Sequence, residues 1–187
     1  WANHATVMGY FLHRLKDGHS LYRGAEIIGG THSFLRGKEW HFDASAVSDG
    51  QLIYQISQAD FSATEYPLAV SLTLTYQLSG ESVRVRFAFQ NHEPELAAHV
   101  GFGLHPGFAS TEGAPFSFTM PAGSYRRFFT PNNYLAHDTQ QFFFGGGRMP
   151  VEQSKLPGSF IVEMLDVPER VFHFADVTSG RTVEFDL

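Results

Sequence analysis

The stretch Ser71-Leu72-Thr73-Leu74-Thr75-Tyr76-Gln77-Leu78-Ser79-Gly80-Glu81-Ser82-Val83-Arg84-Val85-Arg86-Phe87-Ala88-Phe89-Gln90 decides the fold class. Leu72, Leu74, Tyr76 and Leu78 alternate with Ser71, Thr73, Thr75 and Gln77. After the turn at Ser79-Gly80-Glu81, Val83, Val85, Phe87 and Phe89 alternate with Arg84, Arg86, Ala88 and Gln90. A period of two puts every second side chain on the same face of an extended strand, so the stretch predicts an antiparallel hairpin with one apolar and one polar face. Outward from it the same period recurs. Further strands are expected at 51–58, 98–104, 116–120, 159–165, 170–175 and 181–186. Turn signals separate them: Asp49-Gly50, Glu93-Pro94, Pro121-Ala122-Gly123, Pro131-Asn132-Asn133, Gly145-Gly146-Gly147 and Pro157-Gly158. No window of twelve residues carries a helical stripe. Short, regularly punctuated strands predict an all-β sandwich or barrel, and the absence of linkers and repeats predicts a single domain over residues 1–187. The first 45 residues are the least regular and read as loops with short strands, where sites commonly sit.

Composition narrows the function. The chain of 187 residues is 43% hydrophobic and holds 19 Phe, enough for an ordered core and against disorder. Lys and Arg number 13 against 19 Asp and Glu, a net charge of −6, which disfavours nucleic acid as a partner. No apolar run approaches the roughly 20 residues of a spanning helix, so no membrane partner is expected. Cysteine is absent, which removes disulfides, thiolate catalysis and Cys-ligated zinc. No basic-then-apolar leader is visible in the first ten residues, and a cytoplasmic location is the expectation. The chain starts at Trp1 and stops within a strand-like alternation at Leu187, so the reading is of a chain shortened at both ends.

Ten histidines, at positions 4, 13, 19, 32, 41, 92, 99, 105, 137 and 173, are the feature to explain. No pair has the His-x-His or Glu-x-x-His spacing of a usual metal site, and scattered, hydrogen-bonded histidines are the plainer reading; no metal is assigned. There is no Gly-x-Ser-x-Gly nucleophile elbow. Gly101-Phe102-Gly103 opens no helix and is not a dinucleotide loop. The triple glycine at 145–147 reads as a flexible loop rather than a phosphate cradle. Carbohydrate chemistry fits better: aromatic faces stack on sugar C–H groups, and His supplies acid–base groups near neutral pH.

Several segments in order resemble the aldose 1-epimerase (galactose mutarotase) family. Tyr66-Pro67-Leu68, the strand 72–78, Val83-Arg84-Val85 and Gln90-Asn91 resemble its Tyr-Pro, strand, turn, strand, Asn core. Gly103-Leu104-His105-Pro106-Gly107-Phe108 resembles its Gly-x-His-Pro-x-Phe signature. His32-Ser33-Phe34-Leu35-Arg36, with Trp40 beyond, resembles its His-Gly-Phe-x-Arg segment, Ser33 standing where the family has Gly. His13-Arg14-Leu15 lies where the family has Asn-Arg-Ile or Gly-Arg-Leu. Downstream, Thr130-Pro131-Asn132 resembles a Thr-Pro-x-Asp loop. Leu165-Asp166 and Ser179-Gly180-Arg181 resemble a sugar-contacting Asp followed by a Ser-Gly-Arg strand.

The resemblance implies a galactose-mutarotase-like β-sandwich (supersandwich). It implies interconversion of the α and β anomers of a free aldose, a monosaccharide such as glucose or galactose, by acid–base ring opening with no cofactor. His105 would be the acid at the ring oxygen, and His32 would position the sugar near the same atom. Arg14 would bond hydroxyls, and Asp166 would accept from one. Phe34 and Trp40 are expected in the core. The family's general base is a Glu beyond the Ser-Gly-Arg strand, and the chain stops before that position, so activity is in doubt on the sequence alone. A non-catalytic carbohydrate-binding β-sandwich module is the alternative function, a metal-dependent β-barrel enzyme a further one, and a homodimer is left open.

Overall fold

The computed structural model describes residues 7–48, 50–107, 116–151, 161–176 and 178–187. Their strands gather into two compact units, Trp1–Pro106 and Gly107–Leu187. Apart from strands, the described residues form only three-residue 3-10 turns, as the all-β reading requires.

In the first unit, β1 (Val7–Tyr10) and β8 (Gly101–Leu104) form a two-stranded ladder. Strands β2 (His19–Tyr22) and β3 (Ala25–Ile28) form another. The four-stranded sheet has the order β4 (His41–Phe42), β5 (Gln51–Ile56), β6 (Val70–Ser79) and β7 (Ser82–Asn91). Its centre is the hairpin read from the sequence. Leu72 pairs with Phe89, Leu74 with Phe87, Tyr76 with Val85 and Leu78 with Val83, so the alternating apolar residues share one face. Expected strand 51–58 stops at Ile56. Ser57 then caps a 3-10 turn: its side chain accepts from the Asp60 N–H, and the Asp60 carboxylate accepts from the Ser57 N–H (2.7 Å). Expected strand 98–104 is shorter, Gly101–Leu104.

The core of this unit is aromatic. Val70, Leu72, Leu35 and Ile56 are fully buried around Tyr10, whose ring meets Phe34, Phe61, Tyr66 and Phe89 edge-on at 4.9–5.9 Å. Phe34 and Trp40 belong to this core, as expected. The Tyr66 hydroxyl donates to the His99 carbonyl (2.9 Å) and burial pushes its pKa up to about 12, so it stays neutral and ties the core to the chain entering β8.

In the second unit the sheet runs β10 (Thr139–Val151), β9 (Phe116–Phe128), β12 (Val171–Asp176) and β13 (Thr182–Asp186), with β11 (Ile161–Asp166) also on β9. Of the expected strand 159–165, residues 159 and 160 lie outside the described residues. Two readings are corrected here. Pro121-Ala122-Gly123 does not end the strand begun at Phe116, and Gly145-Gly146-Gly147 is not a loop. Both lie inside long, mutually paired strands, with Gly145 opposite Ala122 and Gly147 opposite Met120. Pro121, which has no N–H for a ladder, thereby falls opposite Gly146, whose φ of +82° few residues other than glycine adopt. Gly123 has its own reason: a Cβ there would lie 2.5 Å from the Asp166 carbonyl oxygen, so only glycine admits β11 this close.

Candidate functional site

The candidate site is built on the two-stranded β1–β8 ladder of the first unit. Because β1 and β8 are antiparallel, with Val7 opposite Leu104 and Tyr10 opposite Gly101, the chain leaves β1 toward His13 at one end and leaves β8 into His105 at the other. A parallel bridge between Gly9 and Ser33 lays the 30–33 segment along the middle of the ladder. A Cβ on Gly9 would lie 2.8 Å from Leu35 Cδ1 and 3.3 Å from the Gly101 carbonyl, so the crossing demands glycine. His32 therefore sits between the other two histidines. Its ring centroid is 6.4 Å from that of His13 and 5.8 Å from that of His105.

Backbone hydrogen bonds lock this arrangement. Gly9 N–H donates to the His32 carbonyl (3.3 Å) and His32 N–H to the His13 carbonyl (2.7 Å). His13 N–H in turn donates to Nδ1 of the His32 ring (3.1 Å). An amide always donates, so Nδ1 of His32 must be unprotonated and the neutral ring carries its hydrogen on Nε2. Burial holds the His32 pKa below the ordinary histidine value. The nearby charges of His105, Arg36, His13 and Arg14 push the same way. His32 is thus a neutral side chain with one N–H to offer, a hydrogen-bond donor fixed in orientation. His13 is also held below the usual value, by burial and then by Arg14.

His13, His32 and Ser33 all have left-handed backbones, with φ of +68°, +63° and +62°. Such conformations are costly away from glycine and cluster at functional sites. Ser33 is buried, and its hydroxyl has no hydrogen-bond partner among the described residues; nor does Nδ1 of His13.

Of the residues singled out in the sequence, His32, His105 and Arg14 come together in this one cluster. Asp166 ends β11 in the second unit, where its register with Ser124 follows an irregularity after Met164. Sequence reading gave no role to two members of the cluster: His13, legible only as the neighbour of Arg14, and Arg36, legible as a cation near the site at the end of the His32 segment. No group of three or more His, Cys, Asp or Glu able to hold a metal occurs among the described residues.

Residues 30–118, which include both His32 and His105, match the sequence model of the aldose 1-epimerase family. A comparison with curated proteins finds no significant match. Among solved structures, the fold resembles a galactose mutarotase related enzyme from Lactobacillus acidophilus, with a TM-score of 0.78 and 15% identity over 98% of this chain and 62% of the other. It also resembles a galactose mutarotase-like protein from Lactobacillus casei, with a TM-score of 0.75 and 18% identity over 100% of this chain and 65% of the other. A protein from Synechocystis aligns at a TM-score of 0.65 and 19% identity over 95% of this chain and 58% of the other. The chain therefore spans between 58% and 65% of the length of these structures. The family-model match spans the stretch that carries the paired histidines, and the fold is galactose mutarotase-like.

Proposed function

We propose that the His32–His105 cluster binds the ring of an aldohexose and supplies the proton-donating side of anomer interconversion. The observation that carries this is the fixed neutral tautomer of His32, held by the His13 N–H with its ring 5.8 Å from His105. The two histidines then divide the work. His32 cannot take a proton on Nδ1 without breaking the bond from His13, so it donates from Nε2 to a sugar oxygen and orients the ring. His105 is the acid: its proton goes to the ring oxygen as the bond from that oxygen to C1 breaks and its electron pair moves to the oxygen. The proton of the anomeric hydroxyl leaves to a base, and C1 becomes the aldehyde carbon. Rotation about the C1–C2 bond and the reverse transfers close the ring on the other face. Arg14, exposed beside His13, donates to hydroxyls. A protonated His105 working with an ionised base gives activity that is bell-shaped around neutral pH.

The test follows anomer exchange of α-D-glucose and α-D-galactose by NMR, with saturation-transfer binding on the same samples. Exchange faster than in buffer, falling by ~10²–10⁴-fold in His105→Asn, is expected for a general acid. Acceleration that survives that substitution, or a profile flat from pH 5 to 9, refutes the role of His105. Binding without acceleration identifies a sugar-binding module instead.

A further inference from the structure

The sheet of the second unit ends on one side at β10, a strand of 13 residues that pairs with β9 alone. Along its other edge the backbone N–H and C=O groups have no backbone partner among the described residues. Such an edge is a template for another strand, and proteins commonly guard it with charged side chains. Other edges here are guarded in that way. β7, which ends the four-stranded sheet, carries exposed Arg84 and Arg86, and β13 carries exposed Glu184 and Asp186. β10 has no charged residue from Thr139 to Gly147, and Phe143 in the middle of that run is 74% exposed. Gly145 adds room. A Cβ there would meet nothing within 4 Å, so packing within the chain does not ask for glycine, whereas a strand laid alongside does.

Charge selects the strand that fits. Asp138 and Arg148 are equidistant from Phe143 along the chain. Both are exposed, and neither makes an ion pair among the described residues. In an antiparallel pair about a twofold axis at Phe143, Phe142 falls opposite Phe144 and Gln141 opposite Gly145. Asp138 then falls opposite Arg148 at both ends. Moving the axis by one residue in either direction loses both ion pairs. We propose that β10 pairs with β10 of a second copy of this chain, antiparallel about Phe143, so that the two sheets run on as one across the twofold axis.

The test uses the absence of native cysteine, which lets a single introduced thiol report its own position. Phe143→Cys sets two thiols across the axis with Cα atoms about 4.5–5.5 Å apart, within disulfide reach. Oxidised glutathione should convert most of that variant to a disulfide-linked dimer on a non-reducing gel. In Gln141→Cys each thiol is roughly 13 Å from its symmetry mate, at about 3.4 Å per residue, and the variant should stay unlinked. Sedimentation equilibrium of the unaltered chain should show a monomer–dimer equilibrium. Asp138→Arg or Arg148→Asp alone puts like charges opposite each other at both ends and should weaken the dimer about tenfold, while the two together should restore it. All four positions are exposed, so these substitutions leave the core intact. An unaltered chain that stays monomeric across the concentration range, or equal cross-linking of the two cysteine variants, overturns the proposal. So does a dimer as tight in the single charge variants as in the parent, or no tighter in the double variant than in the singles.

Discussion

Replacing Ser33 by Gly should make the first unit more stable, and the gain can be separated into its parts. Ser33 has φ +62° and is 8% exposed, with its hydroxyl buried and unpartnered among the described residues. Glycine relieves the left-handed conformation, worth ~1–2 kcal/mol, and removes an unsatisfied hydroxyl, worth ~1–3 kcal/mol. Against this, glycine adds freedom to the unfolded chain, costing ~0.5–1 kcal/mol. The balance is a stabilisation of ~1–4.5 kcal/mol, or ~2–18 °C in Tm at ~2–4 °C per kcal/mol for a chain of this size. Ser33→Ala isolates the hydroxyl, because alanine keeps the strained backbone; its gain should be smaller than that of Ser33→Gly by the strain less the glycine entropy. Urea unfolding followed by fluorescence reads the first unit, since Trp40 packs against its core. A destabilised Ser33→Gly, or an alanine variant as stable as the glycine one, would refute the reasoning.

Three other outcomes follow from the same structure. His32 and His13 have pKa values below the usual 6.5 when folded, so the unfolded chain binds their protons more readily. The stability they provide is complete above pH 6.5 and is lost as pH falls through the folded values. Tm should therefore drop as pH falls below 6.5, and His32→Asn should flatten that drop; an unchanged slope in a thermal series counts against the assignment. Gly123→Ala forces a Cβ to within 2.5 Å of the Asp166 carbonyl, and the separation of β11 from β9 should cost ~1–3 kcal/mol or more in chemical denaturation. Leu72→Ala empties a fully buried position at the centre of the hairpin, for a loss of ~2–5 kcal/mol by the same measurement.

The fold was most legible where one face of a strand is buried and the other is not. The hairpin 71–90 was readable residue by residue because Leu72 and Leu74 point into the core while Thr73 and Thr75 do not. It was least legible where tertiary contact overrides local chemistry. Pro121 and Gly145–Gly147 are turn residues by every local rule, yet each accommodates the other's defect across β9 and β10. Gly123 looks like punctuation in one dimension, but it is a point of close approach by a strand about 40 residues away. At the site, spacing along the chain could not bring His32 and His105 together; the order of the motifs did, through the resemblance. His13 escaped notice because what it supplies to His32 is a backbone N–H, which no side-chain pattern announces.

The two departures at this site from the aldose 1-epimerase pattern that the sequence resembles fall where the backbone is left-handed. His13 stands at a position that the family fills with Asn or Gly, and Ser33 at one it fills with Gly. Gly and Asn are the residues that tolerate positive φ, so the family's pattern is what this backbone asks for. The chain keeps the backbone and places on it two side chains that strain it. Neither strain is relieved locally, because the Ser33 hydroxyl and Nδ1 of His13 are both buried without partners among the described residues. Strain together with unmet hydrogen-bonding capacity at two adjoining positions opposes stability twice over. A polar ligand that approached both would relieve the second of these costs. On that ground the chain's departures from the pattern it resembles mark its specificity, and the Ser33→Gly variant should become more stable as it loses affinity for a sugar at the His32–His105 cluster.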